Sequence, residues 1–120
     1  MNINIKKSSD IVGAIDEYAE SKLAPLAKFI KHFDETGEAE MWLEVSRTSD
    51  HHKKGDVFKA SIDLRLPKKS LHADAYEEDI HTAIDHARDI LRLEIDKYKT
   101  QFVELHKKKL GNNDDADIAL

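Results

Sequence analysis

Residues 76–110 constrain the fold more than any other part of the chain. Ile80, Ile84, Ala87, Leu91, Ile95, Tyr98, Phe102 and Leu105 recur at steps of three and four. At ~100° per residue this spacing gathers them on one side of a single long helix. A helix with one apolar side has to lie on a core. Its other sides carry different chemistry. His81, Arg88, Arg92, Lys99 and His106 share a stripe roughly 40° wide by the same geometry. Ala83, Ile90, Leu93 and Lys97 are expected roughly opposite the core side. The surface that this helix presents is where function is sought first.

The rest of the chain supplies the core for that helix. Residues 1–6 alternate, Ile3 and Ile5 on one face and Asn2, Asn4 and Lys6 on the other, as a short strand does. Asp10 is the expected N-cap of a first helix, its carboxylate accepting free amides of the next turn. Helical spacing then runs through Ile11, Ala14, Ile15, Tyr18, Ala19, Leu23 and Leu26. Pro25 lies inside that pattern and should kink the helix or start a new turn. Residues 31–38, with Gly37, form an exit loop. Residues 39–46 alternate again, with Ala39, Met41, Leu43 and Val45 inward and Glu40, Trp42, Glu44 and Ser46 outward. An outward Trp42 is expected to pack under a helix edge.

Asp50-His51-His52-Lys53-Lys54-Gly55 reads as a polar hairpin loop. Phe58, Ala60, Ile62, Leu64 and Leu66 form the next inward face, and Pro67-Lys68-Lys69 the next turn. Leu71, Ala73 and Ala75 make a short last strand. Glu77, Glu78 and Asp79 place negative charge at the start of the long helix, where the dipole favours it, so the helix is expected over residues 77–109. The order is β-α-β-β-β-α: an α+β fold, one four-stranded sheet with two helices packed on one face. Residues 1–110 form a single domain. Residues 111–120 are expected to form a flexible acidic tail.

Composition narrows the function. A chain of 120 residues has room for one core. With no cysteine there is no disulfide framework, thiol nucleophile or thiolate metal site. No apolar run approaches the roughly 20 residues that span a bilayer, and Met1 is followed at once by strand-like residues, so a cytoplasmic address and no membrane partner are expected. The formal net charge is −5. Without the three acids of residues 111–120, 19 basic residues face 21 acidic ones, so any basic surface is local. Seven histidines raise the question of a metal. His51-His52 with Asp50, or His81 with Asp85, offer imidazole and carboxylate, but adjacent loop histidines rarely converge on one ion. With no Gly-rich phosphate loop, nucleophile elbow or dinucleotide fingerprint either, neither an enzyme nor a metal or cofactor is expected.

Several stretches then resemble one family. Asp79-Ile80-His81-Thr82-Ala83-Ile84-Asp85 looks like the D-(M/I)-Y-(A/T)-A-I-(D/N) run of the ribosome hibernation-promoting factor/YfiA family, also known as sigma-factor modulation proteins. Leu91 and Lys97-Tyr98-Lys99 are similar to its L-E-R-Q-L-x-K-Y-K ending. Ala14-Ile15, Lys22-Leu23, Leu26 and Lys28-Phe29 resemble its first-helix pattern A-I…(R/K)-L…L…K-aromatic. The likeness covers about residues 1–105, in the short form of the family. It implies a fold like that of double-stranded RNA-binding domains. It also implies that the chain occupies the messenger and transfer RNA channel of the small ribosomal subunit, stopping translation under stress or in stationary phase. The rRNA-binding residues it points to are Lys22, Lys28, Arg88, Arg92, Lys97 and Lys99. Family members typically carry Lys or Arg at the positions of Ile90 and Leu93, often at Asp96, and a Lys is common where Pro25 stands.

Two readings therefore compete. Lysines and arginines on the helix stripe can neutralise phosphates without base specificity. The same residues sit three or four positions from acids, as Asp85–Arg88, Asp89–Arg92, Arg92–Asp96 and Asp96–Lys99, which also describes a solvated, self-neutralised helix face. The alternative function is a diverged relative that has lost rRNA affinity and binds a protein, such as a second copy in a weak homodimer, through Ile90 and Leu93.

Overall fold

Residues that alternate in the sequence build the sheet. A computed structural model describes residues 1–8, 11, 14–31, 34, 37–48 and 57–110, with side chains described up to Gln101. Within them β1 (Asn2–Lys7), β2 (Glu40–Thr48), β3 (Val57–Leu66) and β4 (Lys69–Glu77) form one sheet in the order β1-β2-β3-β4. β1 runs parallel to β2, and the other two pairings are antiparallel. A parallel pair cannot be joined by a tight turn, so the chain crosses over between its strands. The crossover contains α1 (Asp16–Leu23) and a 3-10 segment (Ala24–Phe29), and α2 (Ile80–Leu110) completes the β-α-β-β-β-α order. The α+β fold read from the sequence is the fold observed.

Register puts the apolar residues of all four strands on one face. Ile3, Met41, Leu64 and Leu71 stand side by side, as do Ile5, Leu43, Ile62 and Ala73, and then Val45, Ala60 and Ala75. These residues share one core cluster with Ile15, Ala19 and Leu23 around α1, and with Ala83, Ile84, Ala87, Leu91 and Ile95 of α2. α2 packs on β3 and β4 and against α1. Alanines at 60, 73 and 75 in the strands and at 83 and 87 in the helix let the two backbones approach closely. Burial of Ile84, Leu91 and Ile95 contributes about 1.5–3 kcal/mol each.

Element ends differ from the sequence reading for identifiable reasons. α2 starts at Ile80, not at residue 77, because β4 stays paired with β3 through Glu77. The last strand is accordingly nine residues long. Asp79 then caps α2: its Oδ2 accepts the Thr82 amide at 3.0 Å and the Thr82 hydroxyl at 3.1 Å. Those two bonds hold the Asp79 carboxyl below its usual 3.8.

α1 is shorter than the spacing from Ile11 implied. Ile15 is its N-cap with no side-chain capping bond, and Ala14 is exposed because it precedes the helix. The expected cap, Asp10, lies outside the described residues, as do the His51-His52 loop and residues 111–120. Pro25 does start a new turn: without an N–H it fits the first turn of the 3-10 segment. Gly37 takes φ +76°, where a side chain would be strained. There the Asp34 carboxylate receives the Ala39 amide at 2.8 Å and leads the chain into β2.

The outward face of the sheet satisfies itself. Trp42 is 41% exposed and packs under no helix edge, since both helices cover the opposite face. Instead the Arg65 guanidinium lies 5.5 Å from its ring centroid. His72 is held between two strands. Its Nδ1 is 2.6 Å from Asp63 Oδ1 and its Nε2 2.8 Å from Asp74 Oδ1, while Ser61 Oγ donates to Asp74 at 2.6 Å. A carboxylate only accepts, so both contacts are hydrogen bonds only when both ring nitrogens carry protons. The bond to Asp63, then that to Asp74, raise the His72 pKa above 6.5 against the opposing effect of burial. Burial would also raise Asp74, but the bonds from Ser61 and His72 together outweigh it and hold that carboxyl below 3.8. A group whose pKa is raised on folding stabilises the fold fully below its unfolded value of 6.5 and loses that contribution as pH rises through the folded value. The melting temperature should therefore fall from about pH 6 to about pH 9 by more in the wild type than in His72→Gln, since only the wild type has a titrating group there. Equal pH profiles would show that the two contacts do not favour the imidazolium.

Candidate nucleic-acid interface

The charged stripe of α2 faces the first helical region, and the two together form a seam with two clusters. The upper one centres on Asp85. Tyr18 of α1 donates its hydroxyl to Asp85 Oδ1 at 2.7 Å, and Lys22 Nζ lies 3.8 Å from the same oxygen. Lys22 is also 5.4 Å from the Tyr18 ring centroid, and the His81 ring meets that ring edge-on at 4.5 Å. Arg88 is close enough to act on the Tyr18 hydroxyl electrostatically. The hydrogen bond to Asp85, reinforced by burial and by the Asp85 charge, pushes the Tyr18 pKa up to about 12.

The lower cluster centres on Phe29. The Arg92 guanidinium carbon lies 3.6 Å from the ring centroid, and Lys28 Nζ lies 5.5 Å from it. Arg92 Nε also donates to Asp96 at 3.3 Å. Lys99 follows on the same stripe, ~20° from both Arg88 and Arg92 by helical geometry. Among the described residues, neither Lys28 nor Lys99 has a carboxylate partner.

Five of the six expected cations thus share one side of the molecule. Lys97 does not join them. Nine positions beyond Arg88, it lies ~180° around α2, 71% exposed and 3.4 Å from Glu94. The self-neutralising pairs expected on the stripe are only partly formed. Arg92–Asp96 is present, but Arg88 pairs with its neighbour Asp89 at 2.9 Å, and Asp85 is taken by α1.

The outward set also needs correction. Ala83 is fully buried, and Ile90 packs partly buried against the core. α2 lies in a trough between sheet and α1, so its buried arc is wider than one row of contacts. Leu93 alone of the three apolar residues points out, 61% exposed. Tyr18 and Phe29 are the seam residues that the sequence did not identify by role. Pro25 was the available signal for Phe29, because a 3-10 turn of three residues puts Phe29 in line with buried Leu26. No three metal-ligating side chains stand together among the described residues. No helix there is long and apolar enough to cross a membrane.

Residues 2–102 match the Sigma 54 modulation protein / S30EA ribosomal protein family. The chain belongs to that family. Every seam residue lies within the matched S30EA stretch. Among curated proteins the chain is similar to a ribosome hibernation promotion factor of Deinococcus radiodurans, 24% identical over 98 residues, covering 82% of this chain and 48% of that one. The chain therefore spans about half the length of that relative. Among solved structures, the N-terminal domain of Thermus thermophilus Protein Y superposes with a TM-score of 0.61 at 27% identity, over 82% of this chain and 99% of that one. A ribosomal subunit interface protein of Coxiella burnetii superposes with a TM-score of 0.64 at 20% identity, over 83% and 99%. At that identity the second likeness speaks for the S30EA fold alone.

Tyr18 gives the seam a spectroscopic handle. In an ultraviolet titration its phenolate absorbance should develop near pH 12. Asp85→Asn removes the carboxylate charge and should move that step downward. A step that does not move would mean that Asp85 is not what holds the proton.

Proposed function

We propose that the chain binds the small ribosomal subunit through rRNA phosphates and blocks translation by occupying the channel of messenger and transfer RNA. Steric exclusion is the mechanism, with no chemical step. The observation that carries this reading is the convergence of Lys22, Arg88, Lys28 and Arg92 from three elements, α1, the 3-10 segment and α2, on one seam. Membership of the S30EA ribosomal protein family and the names of the relatives support a ribosomal partner. Lys99 extends the contact along α2, and Lys97 lies outside it. Phosphate contacts need only positive charge at the right spacing, so the loss of Lys or Arg at Ile90 and Leu93 leaves this seam intact.

Binding of this kind weakens steeply with salt, each neutralised phosphate adding roughly 0.7–0.9 to the log–log slope. Reversing the charge of Arg88, Arg92 and Lys99 together should abolish co-sedimentation with ribosomes while circular dichroism stays unchanged. A folded triple variant that still co-sediments would reduce the seam to a salt-bridged surface.

The second reading, a protein contact or weak homodimer through Ile90 and Leu93, is favoured only by the exposure of Leu93. Ile90 is engaged by the core, so Leu93→Arg is the clean test. If this surface pairs copies of the chain, sedimentation velocity should show a concentration-dependent dimer that Leu93→Arg abolishes. A wild type that stays monomeric at high concentration removes this reading.

A further inference from the structure

Phe29 joins the basic residues of the two elements. It is partly buried and packed against the core, yet it holds two cations that belong to different segments. Lys28 precedes it in the 3-10 segment, whereas Arg92 comes from the middle of α2. The 3.6 Å separation of Arg92 from the ring centroid is that of two planar groups in van der Waals contact. Lys28 and Arg92 carry like charges, and the ring that both approach attracts each of them through its negative face. A guanidinium lying on a ring still has its in-plane N–H donors at the rim. Asp96 takes the Nε donor, and among the described residues no other acceptor takes the remaining donors.

We propose that Phe29 is a positioning residue for RNA phosphate binding. It fixes the plane of Arg92 and keeps Lys28 beside it, so that the two cations engage an RNA backbone as one unit. This rests on the ribosome-binding reading above and adds to it which uncharged residue sets the geometry. A lysine in place of Arg92 would keep the charge and lose the plane, and a leucine in place of Phe29 would keep the apolar packing and lose the ring.

The test is a set of binding curves of folded full-length variants to purified small ribosomal subunits, each taken at several salt concentrations. Phe29→Leu should weaken binding about two- to sixfold, the effect of one exposed cation–π contact, with the salt slope unchanged because no cation is lost. Phe29→Trp should bind at least as tightly as the wild type. Arg92→Lys should show a loss like that of Phe29→Leu, and Phe29→Leu should add nothing to it. Arg92→Gln should lower the salt slope by roughly 0.7–0.9. Wild-type affinity in Phe29→Leu or in Arg92→Lys would overturn the proposal and leave ribosome binding standing. So would a Phe29→Leu loss that persists in full in the Arg92→Lys background. A wild type that does not bind the subunit at all would overturn both readings together.

Discussion

Ile84, Leu91 and Ile95 descend from α2 onto a strip of sheet whose inward residues include Ala60, Ala73 and Ala75. That seating does more than bury area. Small residues under a helix allow close approach, and close approach fixes the helix in rotation as well as in position. With α2 locked about its own axis, the side of it that meets α1 is determined, and so is the composition of the seam. Asp85 meets Tyr18 and Lys22, and Arg92 meets Phe29. A rotation of one residue would place Asp89, Leu93 and Thr100 where Arg88, Arg92 and Lys99 now stand.

The seam and the outward sheet face show two ways of disposing of charge. On the sheet face, side chains answer one another across the strands: Arg65 covers Trp42, Lys59 lies 5.6 Å from Tyr76, and His72 is bonded to Asp63 and Asp74. On the seam, aromatic rings hold cations alongside Asp85, Asp89 and Asp96, and Lys28 and Lys99 have no acidic partner among the described residues. Exposed ion pairs contribute only about 0–1 kcal/mol. Exchanging the Lys22–Asp85 contact for a phosphate therefore costs little. Under the ribosome-binding function proposed above, the seam is the surface that would meet a polyanion, on a chain whose net charge is −5.

Leu93 marks where an element can outrun its neighbours. The apolar arc of α2 is wide enough to take in Ala83 and Ile90 because the helix is held on two sides, by sheet and by α1. Leu93 lies just past that arc, next to Glu94 and four residues from Lys97, which pair with each other. One exposed leucine is ordinary for a small protein and carries much less weight than two adjacent ones would.

The sequence by itself determined the order of elements, the strand faces and the core side of α2, because periods of two and of about 3.6 are local properties of the backbone. Pro25 likewise announced a break in the first helix from its missing N–H alone. The tertiary structure decided what these elements do to one another. It set the start of α2 at Ile80, since the pairing of β4 with β3 outlasts the local preference for helix. It drew Ala83 and Ile90 inward, brought Lys22 and Lys28 up to the stripe of α2, and turned Phe29 from one half-apolar position among many into the ring beneath Arg92. A periodicity says which residues share a side of one helix, but not which neighbour fills the space beside it. That depends on side-chain volumes more than fifty residues apart in the chain, and only packing brings those together.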